Sequence, residues 1–292
     1  MLQSEGPLLI AANHPNSFFD AIILATLFKR PIYSLARGDA FANNFYSKLL
    51  TSLNMFPVYR ISEGVENLEH NYKTFEQCKD LFKQNGIVLI FSEGRCINEW
   101  HLRPIKKGTA RLAISAWKNG IPLKVLPTGI NYSSFLKFGK NIKLNFGEFI
   151  IEKDIDGNDP FGKNVVDFNE NLQSQLQKLV IKLNKDDTAA IKEKFKVEQP
   201  LIKKILLFIP AILGWLIHAP LYLPIKNFAW KRAAHNDHFD SVVVGMLFIL
   251  YPFYLLLLSL LLFLFAGYWY WLLVVVVLPF CAWSYVQLKH QF

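Results

Sequence analysis

The run Pro7-Leu8-Leu9-Ile10-Ala11-Ala12-Asn13-His14-Pro15-Asn16-Ser17-Phe18-Phe19-Asp20 decides how the chain is read. Its first half is a continuous apolar stretch, Pro7 to Asn13, with the pattern of a buried strand, and Ser17 to Lys29 reads as a helix. His14 therefore falls on a strand-to-helix connection, where α/β folds often build their sites. Histidine, with an ordinary pKa of about 6.5, is the side chain best matched to taking a proton from an attacking hydroxyl near neutral pH. A carboxylate on its other ring nitrogen fixes the tautomer and stabilises the imidazolium, and Asp20 follows six residues later. The same spacing also fits a solvated loop histidine and a carboxylate on a helix surface, so other segments must decide.

Outward from this stretch, strand-like runs recur at Pro31 to Ala36, Met55 to Tyr59, Gly86 to Phe91, Pro122 to Ile130 and Ile142 to Ile151. Helical patterns lie between several of them. Val65 to Gln84 places Leu68, Tyr72, Phe75, Cys78 and Phe82 on one face, and Lys106 to Asn119 is closed by Gly120 as a C-terminal glycine closes a helix. Alternation of this kind predicts an α/β domain over residues 1–185, with a mostly parallel sheet flanked by helices. Val165, Phe168, Leu172, Leu176, Leu179 and Leu183 mark the long amphipathic helix that ends the domain. Residues 186–200 read as a charged linker.

The last third differs in composition. From Ser241 to Leu288 there is no charged residue, well beyond the roughly 20 that one spanning helix needs. A transmembrane helical hairpin over 241–288 is expected, broken at Ala266-Gly267-Tyr268 beside the interfacial aromatics Trp269, Tyr270 and Trp271. Residues 201–232 are also apolar but carry Pro210, His218, Pro220 and Pro224, with lysines at both ends. A span there would put Lys203 and Lys204 opposite Lys226, Lys231 and Arg232, against the positive-inside bias, so an interfacial or re-entrant segment is favoured over a third span. This makes the chain an integral membrane protein with its first domain on the cytoplasmic face.

A net charge of +9 suits an anionic membrane surface and anionic substrates and is too modest to demand nucleic acid. The local excess is sharper: between 95 and 111, Arg95, Arg103, Lys106, Lys107 and Arg111 face only Glu99. Cys78, Cys96 and Cys281 form no close pair, so neither a metal site nor a disulfide framework is indicated. Cys96 has no evident base partner that would make it a nucleophile.

Four blocks in order give the chain a resemblance to the glycerolipid acyltransferase superfamily over roughly residues 7–150. The first is Asn13-His14 with Asp20 after a five-residue spacer; the second is Asn54-Met55-Phe56-Pro57-Val58-Tyr59-Arg60. The third is Phe91-Ser92-Glu93-Gly94-Arg95-Cys96, followed by Pro104-Ile105-Lys106-Lys107-Gly108, and the fourth is Val125-Leu126-Pro127-Thr128-Gly129. The third block lacks the family's usual proline and the threonine between glycine and arginine.

The resemblance implies a glycerol-3-phosphate acyltransferase-like fold and transfer of a fatty acyl group from acyl-CoA or acyl carrier protein to glycerol 3-phosphate or 1-acylglycerol 3-phosphate. No cofactor and no metal are expected beyond the thioester co-substrate. His14 and Asp20 take the catalytic roles, and Arg60, Glu93, Gly94, Arg95 and Lys107 are expected to bind the acceptor. Arg37, Asp39, Pro127 and Tyr132 are read as structural. Another lysophospholipid or an aminolipid as acceptor, or a silent lipid-binding protein, remain as alternatives. Because the first block arrives by residue 13, an N-terminally shortened start is also expected.

Overall fold

The computed structural model describes residues 6–59, 68–155, 160–233, 237–266 and 271–289. The chain forms two compact units, the first made of 1–131 and 143–185, the second of 132–142 and 186–292.

The first unit is built on strands β1 (Leu8–Ala12), β2 (Ile32–Arg37), β3 (Met55–Val58), β4 (Ile87–Phe91), β5 (Lys124–Tyr132) and β6 (Ile142–Phe146), in the sheet order β3-β2-β4-β1-β5-β6. β1 pairs in parallel with β4 and β5, and β2 in parallel with β3 and β4. Helices α1 (Phe18–Ala25), α2 (Asn44–Ser52), α3 (Leu68–Lys83), α4 (Gly108–Lys118) and α5 (Phe161–Leu179) connect or follow the strands.

Every residue of β1 is buried. Leu9, Ala11, Val88, Ile90 and Val125 pack with Cys78 and Phe82 of α3, Leu112 and Trp117 of α4, and Phe168, Leu172 and Leu176 of α5. The alternating residues Leu8, Ile10, Ile87, Leu89 and Leu126 are equally buried, so both faces of the sheet are covered, as a parallel sheet requires. Gly120, at φ +69°, ends α4 in the left-handed conformation its sequence predicts.

The sequence pattern misses one helix face. Tyr72 is 76% exposed, whereas the polar Asn71 and Thr74 turn towards β3. Asn71 bonds both the N–H and the carbonyl of Tyr59, and Thr74 donates to the Pro57 carbonyl. These polar contacts orient α3, and hydrophobic periodicity cannot register them. α5 also stops at Leu179, short of Leu183, whose N–H donates to the Trp100 carbonyl.

In the second unit, residues 186–200 are not a bare linker. Asp187 caps helix α6 (Thr188–Phe195) by accepting from the Ala190 N–H, and Ile191 and Phe195 are buried. Helices α7 (Leu201–Ala233), α8 (Phe239–Ala266) and α9 (Trp271–Leu288) follow. The expected break and aromatic belt at 267–270 lie outside the described residues. α7 and α8 are long and apolar enough to cross a membrane.

The contacts of α7 show that it does not run straight. Lys203 reaches Gln287 near the end of α9, and Gly214 abuts Cys281, further along α9. His218 then meets Tyr251 of α8, but Trp230 meets Phe239 at the start of α8. The middle of α7 thus lies about 18 Å along α8 from its start, and both ends of α7 return towards the level where α8 begins and α9 ends. Pro220 and Pro224 follow this middle, where proline removes helical hydrogen bonds. Side chains bond two carbonyls of this stretch: His218 bonds that of Gly214 at 2.7 Å, and Tyr254 donates to that of Ile217 at 2.6 Å.

Close packing in the first unit gives a test. A Cβ on Gly129 of β5 would stand 2.5 Å from the Leu179 carbonyl oxygen, whereas one on Gly162 of α5 meets nothing within 4 Å. Gly129→Ala is expected to destabilise the full chain by about 1–3 kcal/mol, seen as a lowered thermal midpoint in detergent, and Gly162→Ala to leave it unchanged or raise it.

Candidate active site

The parallel register brings the site together. Ala12 of β1 lies level with Phe91 of β4 and with Thr128 of β5. Two residues beyond the ends of β1 and β4, the His14 N–H donates to Glu93 Oε2 at 2.6 Å, and Glu93 Oε1 accepts from the Arg103 N–H at 2.7 Å. One carboxylate therefore ties the strand-to-helix turn to the segment leading into α4. Burial pushes the Glu93 pKa above its ordinary 4.5, while the N–H groups of Arg103 and His14 and the charges of the same residues pull it back.

The His14 ring stacks on Phe91 with centroids 3.9 Å apart, and its Nδ1 lies 2.9 Å from Asp20 Oδ2. Asp20 is fully buried, yet its carboxylate also accepts from the Asn16 N–H at 2.8 Å, and it sits in the first turn of α1, where the helix end favours negative charge. An ionised Asp20 can only accept, so Nδ1 carries the proton and the lone pair of Nε2 is left for another group. The His14 side chain is 18% exposed, enough to be reached.

The turn between them is strained. Ser17 has φ 53° and ψ −138°, a conformation that costs a non-glycine residue about 1–3 kcal/mol. Its N–H donates to Cys96 Sγ at 2.9 Å, so Cys96 supports the turn. Upstream, the Asn13 amide donates to the Ile130 carbonyl and accepts from the Ile130 N–H. Downstream, Asn98 donates to the Pro15 carbonyl.

Beside this turn opens a cleft of about 520 Å³ lined by Arg37, Glu93, Gly94, Arg95, Arg103, Pro104 and Lys106. Arg37, at the end of β2, is held in a two-bonded pair with Asp39, one bond at 3.0 Å. Gly94 takes φ +67°, and a Cβ there would press on Lys106 at 3.1 Å, so glycine keeps this wall open.

Of the residues expected from sequence, His14 and Asp20 meet, and Glu93, Gly94 and Arg95 line the cleft. Lys107 is an exposed residue just ahead of α4 and does not line it; its neighbour Lys106 does. Arg60 lies outside the described residues. Arg37, Arg103 and Lys106 are cleft cations that the motif reading did not place there. Arg103 and Lys106 belong to the basic excess between 95 and 111, and Arg37 carries no signal beyond its position at the end of a parallel strand. Among the described residues no three histidines, cysteines or carboxylates gather to hold a metal.

Comparison with known proteins follows the same lines. The model of the Acyltransferase family matches residues 1–131. The chain is 28% identical over 147 residues to a 1-acyl-sn-glycerol-3-phosphate acyltransferase of Chlamydomonas reinhardtii, covering 50% of this chain and 41% of that protein. It is 32% identical over 107 residues to glycerol-3-phosphate O-acyltransferase 2 of Saccharomyces cerevisiae, covering 36% of this chain and 14% of that protein. The chain thus spans less than half the length of the curated relatives it matches. A crystal structure of a 1-acyl-sn-glycerophosphate acyltransferase from Thermotoga maritima aligns with a TM-score of 0.43 at 17% identity, over 68% of this chain and 70% of that one. The match to the Acyltransferase family model runs from the start of the chain into β5, over the strands that carry the four sequence blocks.

Proposed function

We propose that the chain transfers a fatty acyl group from the thioester of coenzyme A or acyl carrier protein to the hydroxyl of glycerol 3-phosphate or 1-acylglycerol 3-phosphate. The observation that carries this reading is the buried His14–Asp20 pair at the end of a parallel strand, beside a cleft with four cationic side chains. His14 Nε2 takes the proton of the acceptor hydroxyl as its oxygen attacks the thioester carbonyl. The new C–O bond forms, the C–S bond breaks, and the proton passes from the imidazolium to the departing thiolate. Asp20 stabilises the imidazolium between these steps.

Arg37, Arg95, Arg103 and Lys106 would hold the acceptor phosphate, the arginines through paired hydrogen bonds. Glu93 is an unsuitable anion binder, and its two backbone bonds give it a positioning role: it holds the His14 turn against the Arg103 segment. α8 and α9 would span the bilayer as a hairpin, and α7 would re-enter from the cytoplasmic face, leaving Lys203, Lys204, Lys226, Lys231, Arg232 and Lys289 on that side in keeping with the positive-inside bias. The first unit would then work on the cytoplasmic face.

The reading is tested by assaying membranes with a labelled long-chain acyl thioester and each acceptor in turn. His14→Ala is expected to lower the rate 10²- to 10⁴-fold. Arg103→Ala is expected to raise the acceptor KM at least tenfold with a smaller change in kcat. Wild-type chain that is folded yet acylates neither acceptor would overturn the phosphatidate assignment.

Glu93 gives a separate outcome. Its pKa is higher in the folded than in the unfolded chain, so the folded state binds the extra proton and this group's contribution to stability falls as pH rises from about 4.5 through the folded value. Glu93→Gln removes that dependence but turns an amide N–H towards one of the two backbone donors, which costs about 1–3 kcal/mol. Thermal midpoints measured from pH 4 to 7 are expected to be lower for Glu93→Gln and flatter with pH.

A further inference from the structure

We infer that the lysine cluster formed by Lys137, Lys140, Lys226 and Lys289 at the helix ends of the second unit binds the phosphodiester headgroup of an anionic membrane phospholipid. The inference rests on α8 and α9 lying in a bilayer and is independent of the acyl-transfer chemistry.

The cluster is assembled by the loop 133–141. Ser133 and Asn141 bond each other across its base, and Ser134 Oγ accepts from the N–H groups of Leu136 and Lys137, which fixes the tip. The tip is seated on the helices of its own unit. Phe138 packs on Tyr222 of α7 at 5.9 Å between ring centroids, and Gly139, at φ +69°, leaves no room for a Cβ against Val286 of α9. Lys140 makes a buried ion pair with Asp240 at the start of α8, and Lys289, just past α9, donates to the Phe138 carbonyl. Lys226 lies one helical turn beyond Tyr222, and Lys226 and Lys137 are both exposed.

Four ammonium groups thus converge from three parts of the chain. Among the described residues, even when Asp237, three residues before Asp240, is counted with it, the positive charges outnumber the carboxylates two to one. The strain of this arrangement falls on Lys289. Burial first, and then the charges of Lys140, Lys137 and Lys226, push its pKa down to about 8. An anion among these lysines relieves the repulsion. The location selects the anion: α8 begins and α9 ends here, so the cluster sits where the uncharged stretch 241–288 gives way to polar sequence, at the depth of lipid phosphates. A phosphodiester there has its acyl chains alongside the exposed apolar faces of the helices.

The test uses the full chain purified in neutral detergent and given equal amounts of dioleoylphosphatidylglycerol and dioleoylphosphatidylcholine, with bound lipid counted by native mass spectrometry. The expected result is at least fivefold more phosphatidylglycerol than phosphatidylcholine retained. That preference should fall about fivefold per lysine in Lys226→Gln and Lys289→Gln and stay unchanged in Lys204→Gln and Lys231→Gln. Equal retention of the two lipids, or equal losses in the control lysine variants, would overturn the proposal. So would competition by inorganic phosphate at millimolar concentration, which would identify a free phosphate as the ligand. The wild-type lipid preference keeps the test decisive if a variant fails to fold.

Discussion

Everything in the candidate site depends on β1 and β4 running parallel with Ala12 level with Phe91. In a parallel sheet the chain leaves every strand at the same edge, so segments remote in sequence emerge side by side. His14 and Glu93 lie 79 residues apart in the chain and meet because each stands two residues beyond its strand. Arg37 at the end of β2 and Thr128 on β5 reach the same edge by the same geometry. A slip of one residue between β1 and β4 would turn buried side chains to the opposite face and carry the histidine away from its clamp.

The strands and the His14–Asp20 contact were legible because both are written in local patterns: apolar runs of strand length, and a histidine and carboxylate on one turn. The roles inside the site were less so. Glu93 looks like a binding residue in its motif, yet its oxygens are taken by the N–H groups of His14 and Arg103, a fact of pairing across the fold. Lys106 and Lys107 are adjacent and chemically identical, and only the direction in which the chain enters α4 decides which one lines the cleft. Asn71, Thr74 and the helix over Thr188–Phe195 escaped for a related reason. Their structure rests on polar contacts or on two buried side chains, too few to make a period.

In the second unit, α7 stays helical although it carries three prolines. Each proline removes an N–H from the ladder. Around the turning point of α7 the Gly214 and Ile217 carbonyls gain side-chain partners, from the helix's own histidine and from a tyrosine of α8. His218, accepting from Tyr251 while bonding Gly214, is thereby accounted for as part of the bend.

Asn13 shows what the first residue of the motif is for. Its side chain gives a hydrogen bond to Ile130 and takes one back, the same exchange a peptide group makes with a neighbouring strand. The amide acts as a surrogate rung: the ladder between β1 and β5 continues one step further, while the real backbone is released to turn. Aspartate could only accept and leucine could do neither, and glutamine would overreach by a methylene. The residue beside the histidine is thus fixed by the need to leave a sheet without leaving a donor and an acceptor stranded at its edge, and the abruptness of that exit is what lets the His14 N–H reach Glu93 in the cleft wall.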